Sequence, residues 1–255
     1  MPKPRSLDAI FRQWPYEPGR LSARLVEVES GREVLQMRID MGVMQMEVSG
    51  RPDGARPDGF ETYFDHLLAE ALHEGEDFML SEEQCAEAER EFVQFYHRRI
   101  CWLALRRYSK AEQDARHTLR FMDFCRAHSP DEQWALSREQ YRPFVLFHHT
   151  QARALAVLEE RDAEAAVQAI NEGLAAFRDL FARFDAEEQF EGDELVGRLI
   201  EMREDLRNEF DVGRTLHERL SDAIEGEQYE LAARLRDEIS RREELAGRRT
   251  SARHV

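Results

Sequence analysis

Apolar residues alternate with polar ones through the first fifty positions and then recur every three or four almost to the end of the chain. Leu21, Ala23 and Leu25 or Val26 step by two before the turn-forming run Glu29-Ser30-Gly31-Arg32, and a second alternating run starts at Val34. The spacing predicts a hairpin. In the second run Leu35, Met37, Ile39 and Met41 share one parity, whereas Met44, Met46 and Val48 fall on the other, so a bulge or tight turn is expected at Gly42. Two or three antiparallel strands with one face covered by helices make the simplest use of this pattern. A near-repeat follows, Gly50-Arg51-Pro52-Asp53-Gly54 and Ala55-Arg56-Pro57-Asp58-Gly59. Each Pro-Asp-Gly supplies a fixed φ, a side-chain acceptor and a residue tolerant of positive φ, which predicts turns; the rival reading makes Arg51, Asp53, Arg56 and Asp58 a ligand-binding loop.

From Phe60 the period is helical. Ser81-Glu82-Glu83-Gln84 is a capping box opening a helix whose stripe runs Cys85, Ala88, Phe92, Phe95, Trp102. A second helix after Tyr108 carries Ala111, Ala115, Leu119, Met122 and Cys125 and stops near His128-Ser129-Pro130, where proline bars continuation. The theme repeats with Phe144, Phe147, Gln151, Leu155 and Leu158, a break at Arg161-Asp162, and then Ala166, Ile170, Leu174, Phe177, Phe181 and Phe184. The turn and second helix of each pair, Leu105 to Ala111 and Leu158 to Ala165, resemble tetratricopeptide units, where a small alanine lets two helices lie close. Ala111 and Ala165 stand further apart than the roughly 34-residue period of a regular array. The resemblance implies helical hairpins whose concave face binds peptides or proteins; the alternative is that these helices only cover each other and the sheet. Past a polar break at Asp185 to Asp193, Leu195, Leu199, Met202, Leu206 and Phe210 form a coiled-coil-like stripe suited to a connector.

Composition narrows the partners. At 255 residues and 42% apolar the chain can bury a substantial core, while a formal charge of -16 repels a phosphate backbone, so nucleic acid is not the expected partner. The arginine-containing end, Arg241, Arg242, Arg248, Arg249 and Arg253, is the local exception, diluted by Glu243 and Glu244. Cys85, Cys101 and Cys125 stand singly among apolar residues, with no spacing for a disulfide framework or zinc knuckle, which points to reduced thiols in a cytoplasmic protein. Met1 to Arg12 lacks a secretory core, and no apolar run approaches the roughly 20 residues of a membrane span.

The last segment changes the picture most. Thr215-Leu216-His217-Glu218 offers another capping box, and Leu216, Leu220 and Ala223-Ile224 precede Glu225-Gly226-Glu227, where glycine permits reversal. A second helix then presents Leu231, Ala232, Leu235 and Ile239, with Tyr229 at the turn. Leu220, Ala223-Ile224 and the run Glu227-Gln228-Tyr229-Glu230-Leu231-Ala232-Ala233-Arg234-Leu235-Arg236-Asp237-Glu238-Ile239 together resemble the UVR motif of the bacterial excision-repair proteins UvrB and UvrC, of Clp-family ATPases and of activators of protein arginine kinase. The resemblance implies an antiparallel helical hairpin that binds another copy of itself or a partner's copy. It covers about the last eighth of the chain, the share of a short module. The cysteine pairs that carry zinc in the kinase activators are absent here. The front end, Gln36 to Gly54, is similar to that of uncharacterised bacterial proteins with such a tail, which implies architecture and no activity. Burying four or five of the tail's Leu, Ile and Tyr side chains supplies on the order of 5 to 10 kcal/mol before entropy costs, and a two-helix unit has little interior of its own.

Chemistry-bearing motifs are missing: no Gly-rich phosphate loop, no hydrolase elbow and no His-Glu-x-x-His. His148-His149 occupies adjacent helical positions, about 100° apart, so the rings do not share a metal. The sequence therefore predicts an α+β, predominantly α-helical protein: a small antiparallel β-element over 1–59, a tetratricopeptide-like body over 60–190, a connector helix over 191–211, a two-helix UVR hairpin over 212–247 and a basic tail over 248–255. The expected function is that of a non-enzymatic adaptor without cofactor, metal or catalytic residues. It would contact a homodimer partner, or a UvrB/UvrC-like or Clp-type protein, through Leu216, Leu220, Ile224, Tyr229, Ala232, Leu235 and Ile239. The alternatives are an accessory factor of nucleotide excision repair whose arginines approach DNA, and an enzyme built around the Met-rich sheet and the Arg-Pro-Asp-Gly loops.

Overall fold

The computed structural model describes residues 6–28, 31–160 and 162–252, and of residues 243 and 245–252 the backbone alone. The fold is α+β and predominantly helical. Strands β1 (Ser22–Glu27), β2 (Glu33–Ile39) and β3 (Gly42–Glu47) form an antiparallel meander in that order. At the first turn Val28 N–H donates to Arg32 O at 2.8 Å and Gly31 takes a φ of 76°; Glu29 and Ser30 of the expected turn lie outside the described residues. The parity change is a tight turn. Ile39 pairs with Gly42, so Asp40 and Met41 alone connect β2 to β3, and the register sets Leu35 opposite Met46 and Met37 opposite Met44. Odd positions of β2 and even positions of β3 thus share the inward face.

That face packs on helices α3 (Glu82–Ala104), α4 (Tyr108–Ala127) and α6 (Arg142–Glu159): Leu35, Met37 and Met46 join Cys101, Trp102, Ala111 and Ala152 in one buried cluster. The other face is not bare. A short helix, α1 (Asp8–Gln13), precedes Trp14, whose ring lies 4.2 Å from the Arg24 guanidinium and whose Nε1 donates to Ser22 Oγ at 2.6 Å, while Arg38 sits 4.4 Å from the Phe11 ring. These cation–π contacts, and the bond from Arg38 Nε to Trp14 O at 2.9 Å, keep the buried Arg38 of that outer face satisfied.

Between sheet and helices, both Pro-Asp-Gly segments are turns: Gly54 N–H donates to Arg51 O and Gly59 N–H to Arg56 O, with φ of 77° and 88°. Arg98 of α3 fixes the first. It forks onto Asp114 of α4 at 2.9 and 2.7 Å and donates to Glu47 O and Gly50 O. Helix α2 (Tyr63–Glu74) starts at Thr62, whose hydroxyl accepts from Asp65 N–H, and α3 starts with the predicted Ser81–Gln84 capping box. Phe64, Phe78, Phe121 and Phe124 surround Leu67 and Leu80 in a second cluster, with Phe64 and Phe121 stacked at 4.9 Å. Helix α3 packs on α4 with Ala111 and Ala115 fully buried. A short helix, α5 (Glu132–Glu139), capped by Asp131, precedes α6.

Packing divides the chain into two compact units, Met1–Ala156 and Val157–Val255, with the boundary in the last turn of α6. The second unit comprises α7 (Ala163–Arg183), α8 (Glu194–Phe210), α9 (Leu216–Glu225) and α10 (Tyr229–Ala252). Asp162 caps α7 by accepting from Ala165 N–H; Arg161 of the expected break lies outside the described residues. Helix α8, the expected connector, lies against α7, with Val196, Leu199 and Leu206 buried on one and Ile170, Leu174 and Phe177 on the other.

Candidate functional site

The tail hairpin is built from its caps. Thr215 Oγ1 accepts from Glu218 N–H at 3.2 Å while the Glu218 carboxylate accepts from Thr215 N–H at 2.7 Å, so the capping box closes in both directions. At the reversal, Gly226 N–H donates to Asp222 O and Gln228 N–H to Ala223 O. Glu227, not the glycine, takes the left-handed conformation, with φ 55°. Gly226 is needed for a different reason: a Cβ there would stand 3.2 Å from Asp222 O.

The hairpin uses most of its apolar stripe internally. Leu216, Ala223, Ala232, Leu235 and Ile239 are buried together, with Leu220 half-buried beside them. Four of the expected contact residues, Leu216, Ala232, Leu235 and Ile239, are therefore interior to the chain. Ala223 and Ala232 let the two helices approach closely enough to cover these side chains. Ile224 and Tyr229 face outward, 48% and 70% exposed, and Leu231 joins them at 41%. All three lie within a few residues of the turn.

The base of the hairpin is tied to α7. Glu164 in its first turn accepts from Leu216 N–H at 3.1 Å through one oxygen and from Arg242 Nη1 at 2.7 Å through the other, and Thr215 Oγ1 donates to Gln168 Oε1 at 2.9 Å. Arg242 also reaches Glu238. Its charge is thereby balanced, which leaves less for a phosphate; the side chains of Arg248 and Arg249, and Arg253 altogether, lie outside the described residues.

Elsewhere the candidate groups have structural partners. Arg51 is buried and its guanidinium meets Glu87, Asp53 and Gln94, while Arg56, on the surface, pairs with Glu61. Both arginines of the Arg-Pro-Asp-Gly loops are thus engaged by carboxylates of the chain itself. An open groove of about 490 Å³ lined by Met44, Met46, Asp53 and His97 runs beside the sheet. The three cysteines are buried free thiols, and burial pushes Cys101 up to about 12 and Cys125 higher, so neither offers a thiolate nucleophile. Among the described residues no cluster of three or more His, Cys, Asp or Glu side chains is disposed to hold a metal, and no helix is long and apolar enough to cross a membrane.

The paired histidines separate as the helical geometry predicts. His149 Nε2 contacts Glu112 Oε1 at 3.2 Å, whereas His148 is buried and its Nδ1 accepts from Arg99 Nε at 3.2 Å. Burial first, and the Arg99 charge second, push the His148 pKa from 6.5 down to about 4. The unfolded chain therefore takes up this proton near pH 6.5 and the folded one only near 4. Because the unfolded state binds more protons between those values, the ring's contribution is whole above the upper value and is lost as pH falls through the window. The loss is on the order of 3 kcal/mol. Thermal unfolding should show a Tm that falls with pH over this window and a shallower fall in His148→Gln; an unaltered slope would assign the acid sensitivity to other groups.

Sequence reading passed over Arg99, which occupies α3 between Phe95 and Trp102, and with it Thr118 and Tyr96 nearby. The available signal was two adjacent arginines, Arg98-Arg99, set inside an otherwise apolar stripe. Comparison with protein-family models, curated proteins and solved structures finds no match for this chain.

Proposed function

We propose that the chain is a non-enzymatic adaptor whose terminal hairpin docks on a helical hairpin of the same kind, through the outward residues at its turn. Exposure of Ile224, Tyr229 and Leu231 together, next to a stripe otherwise closed, is the observation that carries this reading. The likeness to the UVR motif supplies the partner class: a second copy of this chain, or a UvrB-, UvrC- or Clp-type protein. Covering the three side chains contributes about 5 kcal/mol or somewhat more before the losses of association, which by itself suits only a weak, reversible contact, submillimolar at best. The bonds from Glu164 and Gln168 hold the base of the hairpin and so present its turn in one orientation, reducing what docking must order.

The reading is tested by sedimentation equilibrium of the full chain over a concentration series, with parallel titrations of purified UvrB and a Clp-type ATPase. The wild type should self-associate or bind one of these partners, and Ile224→Asp/Tyr229→Asp should weaken that association at least tenfold with an unchanged circular dichroism spectrum. A monomer that binds neither protein, or an association indifferent to both substitutions, would count against the hairpin as a docking site.

A further inference from the structure

A cavity of about 410 Å³ opens in the first unit among α3, α4, the end of α5 and the start of α6, a size within the ~300–1,000 Å³ usual for small-molecule sites. Four aromatic rings stand in its wall: Phe92 and Tyr96 from α3, Tyr141 after α5 and Phe144 from α6. Tyr96, Tyr141 and Phe144 are partly exposed there, so the fold leaves uncovered apolar surface around one concavity. Glu89 stands in the lining beside Arg138, which pairs with it at 3.3 Å, and Glu89 also accepts from Trp134 Nε1 at 2.9 Å. That carboxylate is balanced.

The remaining charge is not. Arg99 lines the cavity with 1% of its surface exposed. Its Nε donates to His148 and its Nη1 to Thr118 Oγ1 at 3.2 Å, and both acceptors are neutral groups. Thr118 passes its own proton to Asp114 O. Among the described residues no ion pair joins Arg99 to a carboxylate; Asp114, whose two oxygens take the Arg98 fork, favours the Arg99 charge only from further away. Burial lowers the Arg99 pKa only to about 10, so the guanidinium keeps its charge at neutral pH. A buried cation with no acid paired directly to it is destabilising, and the usual remedies are a paired acid or an apolar residue in its place.

We infer that the counter-ion is a ligand: the cavity binds a small aromatic carboxylate, its ring among Tyr96, Tyr141 and Phe144 and its carboxyl group on the Arg99 guanidinium. The chain's overall acidity selects against polyanions, while a single carboxylate reaches a local positive charge already stripped of water. Ring faces favour a flat body over a flexible chain. Arg99 would then be the residue that selects acid over neutral analogue.

Calorimetric titration of the full chain tests this with hydrocinnamate, its uncharged amide and octanoate as probes. Hydrocinnamate should bind and raise Tm, and the amide should bind about tenfold more weakly or worse, the loss of one charge-assisted hydrogen bond. Arg99→Met should erase that preference while the ligand-free Tm stays level or rises, since a buried charge without a directly paired acid has been removed. A merely structural arginine would give a large fall in Tm instead. Val93→Trp, at an exposed lining position, narrows the cavity without touching the core and should weaken acid and amide alike. Equal binding of acid and amide, a preference that survives Arg99→Met, or no binding at millimolar probe overturns the assignment. Octanoate binding more tightly than hydrocinnamate overturns the aromatic part of it.

Discussion

Replacing Glu91 by alanine is expected to lower the unfolding free energy of the first unit by about 3–5 kcal/mol, the cost of breaking a buried charged network from one side. Glu91 is wholly buried in α3. Its Oε2 accepts from Tyr63 N–H at 2.7 Å and its Oε1 from Phe64 N–H at 3.2 Å, the first two amides of α2, which have no acceptor inside their own helix. The same carboxylate lies 3.0 Å from His117 Nε2 on α4 and 3.6 Å from Arg51 Nε in the loop after β3. One side chain thus joins α2, α3, α4 and the Arg-Pro-Asp-Gly turn. Alanine leaves two buried N–H groups unsatisfied, each costing about 1–3 kcal/mol, and strips Arg51 of a partner that Glu87 and Asp53 replace only in part. For a unit of this size the Tm should fall by on the order of 10 °C. Glu91→Gln keeps one acceptor and should lie between the two; a Tm within a degree of wild type for Glu91→Ala would show that water satisfies the helix end.

Leu235→Asp is expected to open the terminal hairpin while sparing the first unit. Leu235 is 3% exposed at the centre of the α9–α10 contact. The substitution removes a leucine's burial and sets a carboxylate among Leu216, Ala223, Ala232 and Ile239, a combined loss of about 4 kcal/mol or more. A two-helix element has few other contacts to absorb it, so α9 and α10 should lose amide protection together while α3 and α4 keep theirs, read by hydrogen exchange. Tyr229→Asp, on the exposed side, should change stability by less than about 0.5 kcal/mol. The pair separates the hairpin's interior from its outward face. Retained protection in Leu235→Asp would mean that the helix pair is held by its base on α7 rather than by its own core.

The caps at Ser81 and Thr215, the stop before Pro130 and the strand parity were all legible because each depends on a few neighbouring residues with fixed stereochemistry. Short elements were not. Helix α1 and helix α5 span too few turns to show a period, and α1 earns its place through Trp14 and Phe11 against arginines distant in sequence. The role of the tail stripe was half legible: helical period identified which residues are apolar, but Leu235 and Ile224 look alike until the partner helix is placed. Arg99 shows the limit from the other side, since its identity in the sequence says nothing about whether an acid will stand beside it.

Sequence alone determined the α+β class, the helix starts and the apolar faces, because hydrogen-bond capping and period act over a handful of bonds. Only the tertiary structure decided which faces are covered and which charges are paired: that Arg98 takes both oxygens of Asp114 while Arg99 has no ion pair among the described residues, that Glu91 serves α2, and that the hairpin closes on itself except at its turn. Burial and pairing are properties of groups brought together from far along the chain, where Coulomb and desolvation terms depend on distance in space and not on spacing in sequence.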